Sequence, residues 1–262
     1  MAGPVWTELI ARAAACAIAV IATPAGISGA ILLLPFQVSV LGTPSPAVTP
    51  TNLLYNVIAT PAALYRYRRQ HQADGRLAVL LTAGTLPGVI AGSVIRVVLL
   101  PGSRIFALIV AAVLLPLGGW LAATCPGRHA DAPRPARQIP APALIILACA
   151  VGCVGGIYGI GGGSILSPVL IGSGRPPAEV APAALTSTLV TSVAGVATFA
   201  ILSASHQGPV APDWPTGIAL GLGGLIGAYT GARLQARLPD TLIRRTVGIL
   251  AIAARYLQTG LS

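Results

Sequence analysis

The sequence predicts an all-α polytopic membrane protein with two homologous halves. Three observations support this prediction: 55% of the 262 residues are hydrophobic, only 8% are charged, and the mean hydropathy is +0.82. A soluble domain of this length has a more polar surface. Because a hydrocarbon core of roughly 30 Å needs about 20 apolar helical residues, the long apolar runs of this chain predict membrane helices.

Eight apolar blocks are visible, four on each side of a polar stretch. They cover residues 9–36, 48–65, 77–100 and 105–123, and then residues 142–171, 178–202, 218–234 and 242–256. The divider at residues 125–140 is rich in Pro and Arg, which indicates a solvated linker. We therefore predict a first membrane repeat at residues 1–124, a polar linker at 125–141 and a second membrane repeat at 142–262.

Three short patterns recur in the same order in both halves, which indicates a duplication. Gly29, an Ile-Leu pair and Pro35 recur as Gly163, an Ile-Leu pair and Pro168; residues 51–54 recur as residues 186–189; and Gly84, Gly88 and Gly92 recur as Gly223, Gly227 and Gly231. The four-residue spacing of these glycines predicts close helix packing in lipid, with pore lining as the alternative.

The arginines predict that the two halves have opposite orientations in the membrane. Residues 66–76 contain four arginines, whereas the corresponding residues 205–215 contain none, and the next loop reverses this bias. Cytoplasmic loops are enriched in basic residues, so corresponding loops should lie on opposite faces. An even number of simple crossings in each half cannot give this result. We therefore expect eight to ten segments, with the long first block of each half broken at its glycines.

The strongest local signal is the glycine-rich sequence of residues 155–168. Three successive glycines, Gly161, Gly162 and Gly163, should end one half-helix and begin another inside the membrane. The helix that begins near Ser164 would present free N–H groups and a positive dipole end, which favours an anion. The alternative is that these glycines only permit tight packing.

Uncharged polar residues follow the break in both halves and complete the predicted substrate site. The candidate binding residues are Thr51, Asn52, Asn56, Gly161, Gly162, Gly163, Ser164, Thr186, Ser187 and Thr191. Asn52 and Asn56 share a helix face, as do Ser187 and Thr191. Two such faces that meet at a pseudo-twofold axis would surround an oxyanion with donors, although each hydroxyl could instead bond its own helix.

Several residue types are missing from the apolar blocks, and these absences narrow the function. No Asp or Glu lies in the middle of a block, which disfavours a carboxylate proton relay. The sequence from Gly26 to Gly29 fits the serine pattern of intramembrane proteases, but all three histidines lie in loops and cannot act as the base. The cysteines lack zinc-site spacing, and we predict no enzyme activity, cofactor or metal.

The net charge of +10 comes from arginines at the ends of apolar runs, which argues against nucleic acid as a partner. The chain resembles the TauE/SafE family of sulfite-exporter-like permeases. The resemblance rests on the two related halves, the glycine-broken first segments, the path from Gly161 to Pro168 and the Ala-Leu-Thr-Ser run at residues 184–187. It implies movement of sulfite or related sulfur-containing organic anions, often by export. The chain departs from the family pattern at Asn52, where a Ser-like residue is expected.

The expected function is a permease or exporter for a small sulfur-containing anion, located in the cytoplasmic membrane. The alternatives are an uptake carrier for sulfate-like anions and a membrane scaffold subunit without transport. A cavity that reaches the glycine breaks would favour transport, whereas a filled core would favour the scaffold. The expected partners are the anionic substrate and the lipid bilayer; the number of subunits stays open, with a homodimer as one candidate.

Overall fold

The structure is a computed structural model that describes residues 4–43, 45–70, 75–100, 140–205 and 210–239, together with positions 242, 243 and 246. Within these residues it contains eight α-helices and one 3-10 turn, with no strand. The all-α fold predicted from the sequence is therefore confirmed. The predicted blocks at 105–123 and 242–256 and the linker at 125–141 lie wholly or almost wholly outside the described residues.

In the part of each half that the structure describes, there are a long helix, a short helix and two further long helices. In the first half they are α1 (Pro4–Ala22), α2 (Ala30–Ser39), α3 (Ser45–Arg69) and α4 (Gly75–Val98). In the second half they are α5 (Ala141–Tyr158), α6 (Gly162–Gly172), α7 (Pro177–Ser205) and α8 (Trp214–Gln235). The first predicted block of each half is thus divided into a long and a short helix.

Four of the described stretches are long and apolar enough to cross a membrane. They are Glu8–Ala25, Gly75–Val98, Ala141–Tyr158 and Pro177–Ser205. Large apolar side chains on these helices point outward, with Val79, Ile146 and Ile201 each about 70% exposed. Hydrocarbon, and not water, is the solvent that suits such a surface.

The first helix of each half packs against the other half of the chain. The first long helix of each half packs against the last helix of the other half, so that α1 contacts α8 and α5 contacts α4. A Cβ atom on Gly88 would lie 2.1 Å from the carbonyl oxygen of Cys149 in α5, and one on Gly227 would lie 2.2 Å from that of Cys16 in α1. The glycines therefore allow backbones to touch, which confirms the packing interpretation in both halves.

Both predicted helix breaks are present. The first break, residues 23–29, contains the 3-10 turn Thr23–Ala25 and then Gly26 in the left-handed region at φ +69°. The second break, residues 159–161, has Gly159 at φ +77° and Gly161 at φ +78°. Side chains are strained at such φ values, so glycine is required there. Both breaks begin earlier than predicted, the first at the 3-10 turn that contains Pro24 and the second at Gly159, and Gly162 and Gly163 are helical.

Candidate functional site

Buried uncharged polar side chains surround the two breaks. They come from the first break, the start of α6, and the facing sides of α3 and α7. The members are Ser28, Asn52, Asn56, Ser164, Ser187, Thr188, Thr191 and Ser192, all 5% exposed or less. A buried polar cluster inside an apolar helix bundle is costly unless its groups are paired, so its hydrogen bonds decide what it can do.

The two breaks contact each other directly. The backbone N–H of Ser28 in the first break donates to Ser164 Oγ at the start of α6, over 3.1 Å. The same hydroxyl lies 3.1 Å from Thr188 Oγ1 of α7. One side chain thus joins both breaks to α7.

Asn56 of α3 bonds both breaks at once. The Ser28 hydroxyl donates to Asn56 Oδ1, and Asn56 Nδ2 donates to the carbonyl oxygen of Ile160 over 3.0 Å. Ile160 lies between the two left-handed glycines of the second break. The amide of Asn56 therefore connects residues from the two halves of the chain.

The equivalent positions in α3 and α7 make comparable bonds. Thr191, which corresponds to Asn56, accepts a hydrogen bond from the Gly162 N–H over 3.3 Å. Asn52 donates to the Ala30 carbonyl oxygen over 3.2 Å and also accepts from Gln37. Ser187, which corresponds to Asn52, lies 2.8 Å from Thr85 Oγ1 of α4. In each half, these two positions therefore bind the break or the helices beside it.

Two predicted site residues lie away from the cluster. Thr51 donates to Ala47 in its own helix and accepts from the backbone N–H of Asp213, just before α8. Thr186 is only partly buried, and its hydroxyl donates to Pro182 of its own helix over 2.8 Å. Their role in substrate binding stays a prediction that none of these contacts supports.

The three glycines at the second break are required for close approach. A Cβ on Gly162 would lie 2.4 Å from Thr85 Cβ, and one on Gly163 would lie 1.9 Å from the Ala184 carbonyl oxygen. A Cβ on Gly161 would lie 2.9 Å from Thr188 Cγ2. Gly161 therefore belongs to the break, whereas Gly162 and Gly163 begin α6 and allow tight packing, so both interpretations of the sequence apply.

The expectation of free donors at the breaks is not met in this conformation. The Ser28 N–H, the Gly162 N–H and the side-chain amides of Asn52 and Asn56 all have partners within the protein. Local sequence cannot reveal such pairing, because most of these partners lie on other helices. An anion would have to replace existing acceptors to bind here.

The carbonyl groups of the first break are also paired. The three successive residues of the buried turn Thr23–Ala25 each have a carbonyl oxygen that a side chain from another helix bonds. They accept hydrogen bonds from Tyr67 of α3 over 3.1 Å, from Gln235 of α8 over 2.7 Å, and from the Ser167 hydroxyl of α6. Unwound backbone is tolerated at membrane depth when protein groups satisfy it in this way.

A small cavity reaches the first break. It is lined by Thr23, Ser28 and Gly29 of the break, by Tyr55, Ala59, Thr60 and Ala63 of α3, and by Leu185 and Ala228. Its free space is about that of a single water molecule. The hydroxyl of Ser192 in α7 is buried and has no hydrogen-bond partner within the described part of the chain. This cavity is too small for a substrate, and the bonded junction of the breaks is closed in this conformation.

Sequence reasoning missed three residues of the site: Ser28, Thr85 and Arg96. Ser28 was considered only within a protease-like pattern, although its position inside a predicted break was a usable signal. Arg96 was counted with the loop arginines, yet it lies inside the predicted block 77–100 and continues the four-residue spacing of Gly84, Gly88 and Gly92.

Arg96 is the one charged side chain that is buried among the described residues, at 2% exposure. Its guanidinium donates to Thr49 Oγ1 over 3.4 Å and to the Leu100 carbonyl oxygen. Thr49 in turn donates to the Ile157 carbonyl oxygen over 3.1 Å, in the last turn of α5 before the second break. A buried arginine inside a membrane segment usually marks a pathway for an ion or substrate.

Lipid-facing helices around two buried, mutually bonded helix breaks define a polytopic integral membrane protein of the transporter class. Residues 11–256 match the family described as "Sulfite exporter TauE/SafE". A "Probable membrane transporter protein" of Xylella fastidiosa (strain 9a5c) is 29% identical over 243 residues, which cover 87% of this chain and 85% of that protein. No solved structure matches. The chain belongs to the TauE/SafE family and is a membrane transporter.

Proposed function

We propose that the protein exports a small sulfur-containing oxyanion, such as sulfite or an organosulfonate, across the cytoplasmic membrane. The observation that carries this proposal is the junction of the two breaks, where Ser28 bonds Ser164 and Asn56 bonds residues of both halves. The description of the family as sulfite exporters supports the choice of substrate class.

The chemistry of the junction fits an oxyanion. The Ser28 N–H, the Gly162 N–H and the Asn56 amide are three uncharged donors from different elements. An oxyanion has several acceptor oxygens and would replace the protein acceptors that these donors now use. The start of α6 adds the positive end of a helix dipole. These features favour an oxyanion over a cation at the junction.

The closed conformation fits one state of an alternating-access cycle. Broken helices at the interface of two repeats are common substrate sites in secondary transporters, and rocking of one repeat against the other opens them in turn. Here the exchange of α1 and α5 between the halves gives each half a rigid contact with the other. The hydrogen bonds across the junction would break when it opens.

Membrane voltage supplies enough energy for export of an anion. One negative charge that leaves a cell with a negative interior gains roughly 2.3 kcal/mol per 100 mV. Export therefore needs no coupled ion.

Flux in proteoliposomes tests the proposal. Purified protein would be reconstituted with sulfite inside, and efflux would be measured under imposed potentials of either sign. We expect efflux to accelerate when the interior is negative and to be absent from protein-free vesicles. Efflux that is indifferent to voltage would contradict electrogenic export, and accumulation against the potential would favour the uptake carrier.

A thermal-stability screen gives an independent measurement of substrate class. Ligands that bind the folded state raise the unfolding temperature by mass action. Sulfite, sulfate, thiosulfate, sulfoacetate and taurine would each be added to purified protein at several concentrations. Stabilisation by sulfite or a sulfonate is expected, and stabilisation by sulfate alone would contradict the proposed substrate.

A further inference from the structure

Arg96 and Gln235 occupy equivalent positions in the two halves. The glycines of α4 and α8 correspond at a constant offset, and each of these two residues lies four positions after the last glycine, Gly92 or Gly231. Both side chains are buried, at 2% and 5% exposure. The duplication has thus kept a long polar side chain at this place but a charge in only one half.

Gln235 bonds the break of the opposite half directly, whereas Arg96 is connected to the residues before the second break through Thr49. Gln235 of the second half donates to Pro24 in the first break over 2.7 Å. Arg96 of the first half binds Thr49, whose hydroxyl donates to Ile157 immediately before the second break. One contact is direct and the other passes through Thr49, and only Arg96 places a positive charge near the second break.

Two residues, Thr49 and Gly159, lie between Arg96 and the predicted binding residue Asn52. A Cβ on Gly159 would lie 2.3 Å from the Thr49 carbonyl oxygen and 3.0 Å from Asn52 Cβ. Thr49 and Asn52 therefore pack on the same residue of the second break. Because the charge of Arg96 is buried and poorly screened, its potential extends past these two intervening residues without contact with the ligand.

We propose that Arg96 makes the site select substrates by their net charge. The uncharged donors at the junction cannot distinguish a sulfonate group on an anion from the same group on a zwitterion, because both present the same three oxygens. The positive potential of Arg96 attracts a net negative molecule and repels a substrate that also carries an ammonium group. The substrates are therefore net anionic sulfur oxyanions, and zwitterionic aminosulfonates are excluded. This inference rests on the proposed function.

Competition for sulfite uptake into proteoliposomes tests the inference. The competitors are methanesulfonate, with one negative charge, and taurine, which has the same sulfonate group but no net charge. For the wild type, methanesulfonate should inhibit at a concentration at least about tenfold lower than taurine. In Arg96→Gln, which copies the second half, this ratio should fall to within about threefold.

Two further variants separate charge from packing. Arg96→Lys keeps the charge and should keep the ratio, and it provides a test even where Arg96→Gln does not fold. Gln235→Met removes the equivalent polar contact without a change in charge, so it should lower the flux but leave the ratio unchanged. A ratio that persists in Arg96→Gln, is lost in Arg96→Lys, or is lost in Gln235→Met would overturn the inference.

The same experiment distinguishes failure of the inference from failure of the proposed function. Absence of sulfite movement in either direction through the wild type would overturn the proposed function and this inference with it. Uptake by the wild type with an unchanged ratio in Arg96→Gln would overturn the inference alone.

Discussion

The backbone N–H of Ser28 donates to the hydroxyl oxygen of Ser164 over 3.1 Å, although 136 positions separate the two residues. Neither residue has an exposed side chain, and the bond joins the first break to the start of α6. Because Ser164 Oγ is also 3.1 Å from Thr188 Oγ1, one oxygen connects both breaks with α7. Any opening of the junction between the halves must break the bond between Ser28 and Ser164.

The variant Ser164→Ala should lower both stability and transport. It leaves the buried Ser28 N–H without its acceptor, which costs about 1–3 kcal/mol. Sulfite efflux should fall by about tenfold, because the anion loses the Ser164 hydroxyl as a donor and roughly 1.4 kcal/mol of lost binding corresponds to that factor. Thermal unfolding and proteoliposome efflux measure the two effects.

The control for Ser164→Ala is Ser203→Ala. The Ser203 hydroxyl donates to the Ala200 carbonyl oxygen of its own helix over 2.7 Å. Its removal should change neither unfolding temperature nor efflux. Equal efflux from Ser164→Ala and Ser203→Ala would contradict a role for the junction in transport.

Asn56 should be the most sensitive polar position of the site. In Asn56→Leu, the Ser28 hydroxyl and the Ile160 carbonyl oxygen both lose a partner, at about 1–3 kcal/mol for each unpaired group. Asn56→Thr copies the equivalent residue Thr191 and retains one hydroxyl, so its loss of stability should be intermediate. Unfolding temperatures would give this order, and the same temperature for Asn56→Leu and the wild type would rule out a bridge between the breaks.

The sequence predicted the features of this fold that depend on local chemistry. Runs of apolar residues predicted the helices, and Gly26, Gly159 and Gly161 have the left-handed conformations that a glycine break permits. The four-residue spacing predicted the packing faces at Gly88 and Gly227, because that spacing places small residues on one side of a helix. Local signals were sufficient for these features.

The pairing of the polar residues was not predictable in the same way. Ser28 bonds Asn56 and Ser164, which are 28 and 136 positions away, and no local pattern indicates such partners. Arg96 resembled the flanking arginines because it lies near the end of α4, and only the packing of α3 and α5 around that end buries it. Tertiary contacts therefore decided which polar residues joined the site.

The glycine contacts of the two halves should be equally sensitive to a methyl group. A Cβ would lie 2.1 Å from a Cys149 oxygen at Gly88 and 2.2 Å from a Cys16 oxygen at Gly227. Each change to Ala should force the helices apart and cost about 1–3 kcal/mol. Gly75→Ala is the control, because nothing lies within 4 Å of its Cβ position.

Thermal unfolding of the three glycine variants would measure these costs. Similar losses for Gly88→Ala and Gly227→Ala, with none for Gly75→Ala, are expected from the exchanged packing of α1 with α8 and α5 with α4. A loss for only one of the pair would show that the two interfaces differ in strength, contrary to the duplication.

The opposite orientation of the two halves is a prediction that labelling can test. Arg68 lies near the end of α3 and Ser205 ends α7, the equivalent helix, and both side chains are exposed. The arginines beside Arg68 predict that this end faces the cytoplasm. If the halves are inverted, the end of α7 must therefore face the other side of the membrane.

Single-cysteine variants provide the measurement. Arg68→Cys and Ser205→Cys would be made in a chain whose four native cysteines are replaced by alanine, and intact cells would be treated with a membrane-impermeant maleimide. Ser205→Cys should react in intact cells, whereas Arg68→Cys should react only after the membrane is permeabilised. Efflux by both variants would show that the fold is retained. Reaction of both cysteines from the same side would mean that the halves are parallel, because equivalent helices would then end on one face.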